Sequence, residues 1–140
     1  MNIRDQNSLY LEANQLVLDE LHPTAPEGII DPTSQVIGKV AIGKNTFIKN
    51  NTRIKGPVVI GENCEIGPNV YVGPYTSIGD NTKLVSGEIE GSIVMEEVII
   101  NCDRRIVDSI IGKRSKLESA RNILPTGLRF VVGESTSCKI

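Results

Sequence analysis

A six-residue periodicity of large aliphatic residues constrains this 140-residue chain more than any other feature. Counting in steps of six from residue 30 to residue 84 always lands on isoleucine, valine or leucine. These three residue types fill only 41 of the 140 positions, so ten successive matches in one phase indicate an internal repeat. The matching residues are Ile30, Val36, Ile42, Ile48, Ile54, Ile60, Ile66, Val72, Ile78 and Leu84.

A second register lies four residues after each aliphatic and holds only small or β-branched side chains. Its members are Ser34, Val40, Thr46, Thr52, Val58, Cys64, Val70, Thr76 and Thr82. Turn-forming residues lie between the two registers, and both types tolerate the left-handed backbone angles that a tight corner demands. They are Gly43, Gly61, Gly67, Gly73 and Gly79, with Asn45, Asn51, Asn63, Asn69 and Asn81.

Two inward positions in every six residues fit neither an α-helix nor a simply alternating strand. They fit a short strand followed by a corner, and three such sides close a triangular coil of 18 residues. The aliphatics would then stack in three columns, one per side, with successive coils about 4.8 Å apart. A β-sandwich is the alternative. The pattern resembles that of hexapeptide-repeat proteins, and this resemblance implies an all-β fold, a left-handed parallel β-helix.

The segments outside the strict repeat are predicted to be an N-terminal helix and further coils. A helix over about residues 9–21 would be capped by Ser8 and stopped by Pro23 and Pro26, giving a helix and linker at 1–28 and a β-helix at 29–140. After Leu84 we expect two or three coils with looser corners. An insertion at about 118–129 would leave the stack, and Val132, Gly133 and Thr136 would restart the repeat. The face of the helix expected to pack comprises Leu9, Ala13, Leu16, Val17 and Leu21.

The composition excludes several classes of function. His22 is the only histidine, so a three-histidine zinc site cannot form within one chain, and a γ-class carbonic anhydrase is excluded. The net charge of −2 argues against nucleic-acid binding. No apolar run is long enough to span a membrane, and we expect no membrane partner. Three widely spaced cysteines favour reduced thiols in a cytoplasmic protein, without metal or cofactor.

Several segments resemble one enzyme family. GPVVIGENCEIGPNVYVGPYTSIGDNTKL at residues 56–84 resembles the C-terminal β-helix of sugar-phosphate nucleotidyltransferases. Residues 89–118, which contain CDRRIVDSIIG, and residues 127–137 resemble the long-form glucose-1-phosphate thymidylyltransferases, which make dTDP-glucose. Residues 11–21 resemble the helix that leaves their catalytic domain. Nothing in this chain resembles that domain's glycine-rich nucleotide loop, so the resemblance implies a tail domain, excised or free-standing.

Few residues in this sequence are candidates for catalysis or ligand binding. Acyltransferases with this repeat use a histidine base, and in related acetyltransferases the base lies in the segment matching residues 101–105. Here that segment is Asn-Cys-Asp-Arg-Arg and contains no histidine, so we predict no catalytic residue. His22 is interpreted as a solvated or helix-capping residue, and Cys102 as a buried thiol. A phosphate or nucleotide could bind at Arg104, Arg105 and Arg114, although corner salt bridges are the favoured alternative. Gly73-Pro74-Tyr75-Thr76 could line a groove, but a structural role is favoured.

The resemblance therefore predicts a non-catalytic β-helical oligomerisation domain, expected as a homotrimer. In a full-length protein it would follow a nucleotidyltransferase domain. The alternative is an acyltransferase-like or sugar-nucleotide-binding protein that acts on phosphorylated or nucleotide-activated sugars.

Overall fold

The computed structural model describes residues 3–22, 25–119, 128–131 and 137–139. Within these residues, one helix, α1 (Ile3–Asp19), precedes fifteen strands. The strands are β1 (Ile29–Ile30), β2 (Gln35–Ile37), β3 (Val40–Ile42), β4 (Phe47–Ile48), β5 (Arg53–Lys55), β6 (Val58–Ile60), β7 (Glu65–Ile66), β8 (Tyr71–Val72), β9 (Thr76–Ile78), β10 (Lys83–Glu90), β11 (Ile93–Val94), β12 (Ile99–Ile111), β13 (Lys116–Ser119), β14 (Leu128–Val131) and β15 (Ser137–Lys139).

Strands from successive coils pair in parallel and form the three sides of a β-helix. The first face consists of β1, β4, β7, the start of β10, the start of β12 and β13. The second face consists of β2, β5, β8, the end of β10 and the middle of β12. The third face consists of β3, β6, β9, β11 and the end of β12. The predicted parallel β-helix, preceded by a short helix, is confirmed.

The three predicted aliphatic columns are also confirmed. On the first face Ile30 pairs with Ile48, and Ile66 is the next in register. Leu84 follows, and the column continues through Ile100 to Leu117, so that this face has six strands and the β-helix has five complete coils. The columns form the core, in which Ile48, Ile54 and Ile66 have no exposed surface.

The second register places hydroxyl and thiol groups inside the coils, and several of these groups link two coils. Thr46 Oγ1 donates to the carbonyl oxygen of Gly61 at 2.6 Å and accepts from the amide of Cys64 at 3.1 Å. Cys64 takes the same role one coil later, because its Sγ lies 3.1 Å from the carbonyl oxygen of Gly79. Burying Thr46 and Cys64 is tolerated because they form hydrogen bonds, whereas Thr52 Oγ1 and Thr76 Oγ1 are buried without a hydrogen-bond partner among the described residues.

The left-handed backbone angles predicted at the corners are found at the asparagines but at only one of the glycines. All five predicted corner asparagines have left-handed backbone angles, with φ between 55° and 58°. Among the predicted glycines only Gly67 shares this property, with φ of 106°. Gly43 and Gly79 are required for a different reason, because a Cβ there would lie 2.7–2.8 Å from backbone atoms of the next coil. The expectation of left-handed angles is therefore wrong for four of the five glycines, Gly43, Gly61, Gly73 and Gly79.

Two further coils follow Leu84, but their corners are tighter than predicted. Leu84 is in register with Ile100, 16 residues later, and Ile100 with Leu117, 17 residues later. Shorter corners need unusual backbone angles, which Gly87 and Gly91 supply with φ of 99° and 61°. The expectation of looser corners is wrong because residues are removed from the corners and none is added.

The last strands reverse direction. β14 pairs antiparallel with β13, and β15 pairs antiparallel with β12. Both lie against the final coil, whose strands would otherwise present unpaired backbone groups at the end of the stack. Most of the predicted insertion, and the predicted restart at Val132, Gly133 and Thr136, lie outside the described residues.

Helix α1 differs from its prediction at both ends and on its packing face. It begins at Ile3, so Ser8 lies inside the helix, and it ends at Asp19. The buried side chain is Leu18, 1% exposed, with Leu11, Asn14 and Leu21 half-buried beside it. The predicted packing face is wrong, because Leu9, Ala13, Leu16 and Val17 are exposed and only Leu21 is half-buried. Within the described residues, no helix is both long and apolar enough to cross a membrane.

Candidate functional site

Helix α1 lies along the third face of the β-helix. Its C-terminal end reaches the first coil, where Lys39 Nζ donates to the carbonyl oxygen of Asp19 at 3.0 Å. Its middle meets the third coil, where Ser77 Oγ donates to Asn14 Oδ1 at 2.6 Å. The helix also contacts β12 in the last coil. Seventeen helical residues extend about 25 Å, which matches five coils at about 4.8 Å each. The third face is therefore covered.

Tyr75, at a corner of the third coil, holds α1 in place through two hydrogen bonds. Its hydroxyl donates to Asp19 Oδ1 at 2.7 Å, and its carbonyl oxygen accepts from Asn14 Nδ2 at 3.2 Å. The hydrogen bond to Asp19 and the negative charge of that carboxylate raise the pKa of Tyr75. The segment Gly73-Pro74-Tyr75-Thr76 therefore has a structural role, as favoured from the sequence.

We expect Tyr75→Phe to loosen the helix without unfolding the β-helix. Hydrogen exchange should show severalfold faster exchange in α1, while the coil amides stay unchanged. Tyr71→Phe, on the second face, is the control. Because the folded-state pKa of Tyr75 is raised, the contact persists up to the ordinary tyrosine pKa of about 10 and is lost as pH rises through the raised value. Equal exchange in the two variants would contradict this assignment.

The first face is open and carries an apolar row. Ile29 is 66% exposed, Phe47 37% and Ile99 39%. Glu65 and Lys83 lie between these residues in register, with Lys83 Nζ 3.6 Å from Glu65 Oε2. Sequence reasoning missed this row. The available signal was an apolar residue directly before an inward aliphatic, as in the pairs Ile29-Ile30, Phe47-Ile48 and Ile99-Ile100.

The second face is also open, and it is charged. Arg53, Tyr71, Glu88 and Arg105 follow one another in register. Arg105 forms an ion pair with Glu90. Of the two open faces, the first is therefore the more apolar.

The three predicted arginines do not come together at one site. Arg104 lies at the corner from the first face to the second, and Arg105 follows it on the second face, in register with Glu88. Arg114 lies in the corner from the third face to the first, where its Nη1 is 4.0 Å from Glu97 Oε2. Arg104 is exposed and forms no ion pair with any described residue. Arg105 forms an ion pair with Glu90 on the second face, and Arg114 forms one with Glu97 at its corner.

The cysteine and histidine side chains considered as candidates lie far apart in the sequence. Cys102 is buried, as predicted, and so is Cys64, whose thiol pKa is raised by burial. His22 is exposed and lies ahead of the first coil. Among the described residues, no group of three or more His, Cys, Asp or Glu side chains could hold a metal ion.

A family model decides the relationship of this chain to known proteins. The model described as the GMPPB C-terminal domain matches residues 54–139, which is more than half of the chain. The chain belongs to the GMPPB C-terminal domain family. Its open first face and helix-covered third face are thus features of a member of this family.

Two curated relatives of this GMPPB C-terminal domain protein carry nucleotidyltransferase names. The low-salt glycan biosynthesis nucleotidyltransferase Agl11 of Haloferax volcanii is 42% identical over 93% of the chain, and a glucose-1-phosphate thymidylyltransferase of Streptomyces antibioticus is 38% identical over 93%. The chain spans 36% and 35% of their lengths. It corresponds to their C-terminal part, so the predicted resemblance is confirmed.

A solved structure shares the fold of this GMPPB C-terminal domain protein. A point mutant of AntD, an N-acyltransferase from Bacillus cereus, superposes with a TM-score of 0.61 and 13% identity. The match covers 86% of this chain and 87% of AntD. At this identity the likeness concerns the fold alone.

Proposed function

We propose that this chain is a non-catalytic β-helical domain that assembles a nucleotidyltransferase-family protein into a homotrimer. Residues 29–140 would form the assembly unit, and residues 1–28 would supply the helix and linker. The observation that supports this proposal is the exposed apolar row of the first face, Ile29, Phe47 and Ile99, on a side that no described element covers.

A threefold assembly uses a surface of this kind. In a ring of three, each subunit presents one patch to a different patch of its neighbour. A flat β face with large apolar side chains gives such a contact hydrophobic surface, and the Glu65–Lys83 ion pair lies between the apolar residues. The third face is unavailable for a contact of this kind, because α1 lies on it.

The second part of the proposal is that this chain alone has no catalytic activity. The sequence lacks a glycine-rich nucleotide loop, and its one histidine is exposed ahead of the coils, far from residues 101–105 in sequence. We expect this chain alone to transfer no nucleotide from dTTP to glucose-1-phosphate. Turnover by the purified chain would refute this part. We place the protein in the cytoplasm, where free thiols such as Cys64 and Cys102 stay reduced.

The alternative is an acyltransferase-like or sugar-nucleotide-binding protein, with an anion site at Arg104, Arg105 and Arg114. Exposed Arg104 favours it, since no described residue neutralises its charge. A thermal-shift screen against acetyl-CoA, dTTP and dTDP-glucose discriminates the two functions. Stabilisation that is lost in Arg104→Ala would favour binding, whereas no stabilisation by any of the three is expected for an assembly domain.

We expect Phe47→Asp to break the threefold contact. Placing a carboxylate at the centre of an apolar interface should raise the dissociation constant at least about 100-fold, because central aromatic residues carry much of the binding energy. Sedimentation velocity measures the change in mass. Gln35→Asp is the matched control, because Gln35 is an exposed, outward residue on the second face. A Phe47→Asp variant that keeps the mass of the unmodified chain would contradict the assignment of the first face.

A further inference from the structure

Helix α1 has a second apolar face that nothing in the described chain covers. Leu9 is 48% exposed, Tyr10 59%, Leu16 69% and Val17 68%, and Ala13 lies exposed among them. We call these five residues the outer stripe. A surface helix packed on a β-helix ordinarily turns polar residues to solvent. Here α1 already packs on the β-helix through Leu11 and Leu18, so the outer stripe is not needed for packing within the chain.

The outer stripe is symmetric about Ala13. Tyr10 and Leu16 lie three residues before and after Ala13, while Leu9 and Val17 lie four before and after. At 3.6 residues per turn, the five positions span about one third of the helix circumference, with Ala13 at the centre. Ala13 is also the smallest member. A small residue between two pairs of large ones is the arrangement that lets two helices cross closely and interdigitate.

We propose that the outer stripe is a twofold contact with a second copy of this chain. An antiparallel pair of α1 helices, with the twofold axis at Ala13, places Leu9 and Tyr10 against the partner's Leu16 and the partner's Val17. The same patch then serves both subunits, which is the defining property of a twofold interface.

The polar residues at the ends of the stripe fit the same symmetry. Gln6 lies seven residues before Ala13 and Glu20 seven residues after it, and both are exposed. The twofold axis brings Gln6 opposite the partner's Glu20, where its side-chain amide can donate to the carboxylate. The acidic Glu12 and Asp19 lie off the stripe, and Asp19 is already bonded to Tyr75. The pairing therefore buries no like-charged residues against each other.

This twofold contact is independent of the proposed threefold contact. The outer stripe lies on the helix that covers the third face, whereas Phe47 lies on the first face. Because α1 runs along the coil stack on an outward side of the proposed trimer, the twofold contact would link neighbouring trimers side by side and would not close two trimers into one particle. A single helix pair is smaller than a standard interface of about 800 Å² per partner, so we expect dissociation in roughly the micromolar range.

Sedimentation equilibrium on four chains separates the two contacts. We expect the unmodified chain to exceed three chains per particle, with a mass that rises with concentration, and we expect Leu16→Glu to give three chains, Phe47→Asp two, and the double variant one. Leu16 is 69% exposed, so its substitution leaves the fold of the single chain intact. Gln15→Glu is the matched control, because it adds the same charge on the same helix outside the stripe. If Leu16→Glu and the unmodified chain have the same mass, the twofold contact is overturned, whatever Phe47→Asp does.

A cysteine crosslink tests the geometry itself. On the twofold axis, Ala13→Cys places two thiols within the Cα separation of about 4.4–6.8 Å that a disulfide needs. Cys138 should be replaced by serine in this background, while Cys64 and Cys102 are buried and can stay. We expect mild oxidation to give a covalent dimer for Ala13→Cys and none for Gln15→Cys. Absence of the dimer for Ala13→Cys, or equal dimer yields for both, would overturn the proposal and leave the stripe to a different occupant, such as a preceding domain.

Discussion

Replacing Ile66 with alanine is expected to lower the free energy of unfolding by about 4 kcal/mol. Ile66 has no exposed surface and lies in the third of five coils. Its neighbours in the column, Ile48 and Leu84, belong to strands that are hydrogen-bonded to β7 in register. These strands hold the walls of the new cavity apart, so it cannot collapse. Urea unfolding followed by circular dichroism, at a fixed chain concentration, measures the loss.

Ile37→Ala is the matched control for Ile66→Ala. Both substitutions remove the same atoms from a β-strand, but Ile37 is 46% exposed in β2. We expect its replacement to lower the free energy of unfolding by less than about 1 kcal/mol, because little buried area is lost. Equal losses in the two variants would show that the aliphatic column does not form the core.

Gly79→Ala is expected to destabilise the chain by about 3 kcal/mol, the upper end of the range for overpacking. The added Cβ would lie 2.8 Å from the carbonyl carbon of Met95 and 2.9 Å from the amide nitrogen of Glu96. These are backbone atoms of the next coil. The hydrogen bond from the Gly79 amide to the carbonyl oxygen of Val94, at 2.8 Å, holds the two coils at this spacing. Separating them would weaken the hydrogen bonds between the third and fourth coils.

Gly38→Ala distinguishes lack of space from backbone conformation. A Cβ at Gly38 would meet nothing closer than 3.6 Å, but its φ of 84° disfavours any L-residue. We expect a loss of about 1–2 kcal/mol from that conformation alone. Chemical denaturation of both variants should therefore rank Gly79→Ala as the more damaging. The reverse order would contradict the close-approach explanation for the corner glycines.

The repeat predicts most of the core because each inward position is defined by residues in the same phase. Ile30 to Leu84 therefore fall into their columns without knowledge of any other contact. The phase is lost after Leu84 because the next corners are shorter, and a shortened corner shifts every later inward residue. Ile89, Val94 and Ile100 continue the columns, but a fixed step of six does not reach them. The glycines with positive φ, Gly87 and Gly91, are the local signs of that change.

The helix and the open faces are harder to predict from sequence alone. α1 carries two apolar faces, and the choice between them depends on where Asn14 finds partners, which are Ser77 and Tyr75 more than 60 residues away. Similarly, the outward Phe47 and the inward Ile48 are adjacent apolar residues, and only the strand register separates their roles. The arginines Arg104, Arg105 and Arg114 cluster in sequence, but the triangular coil distributes them over two corners and the second face.

The mass of the Leu16→Glu chain in sedimentation equilibrium tests the proposed assembly function most directly. This substitution removes the helix contact and leaves the first face, with Ile29, Phe47 and Ile99, unchanged. The account predicts a particle of three chains that persists at concentrations of about 1 µM and above. A particle of one chain across that range would contradict the assignment of this β-helix as a trimeric assembly domain.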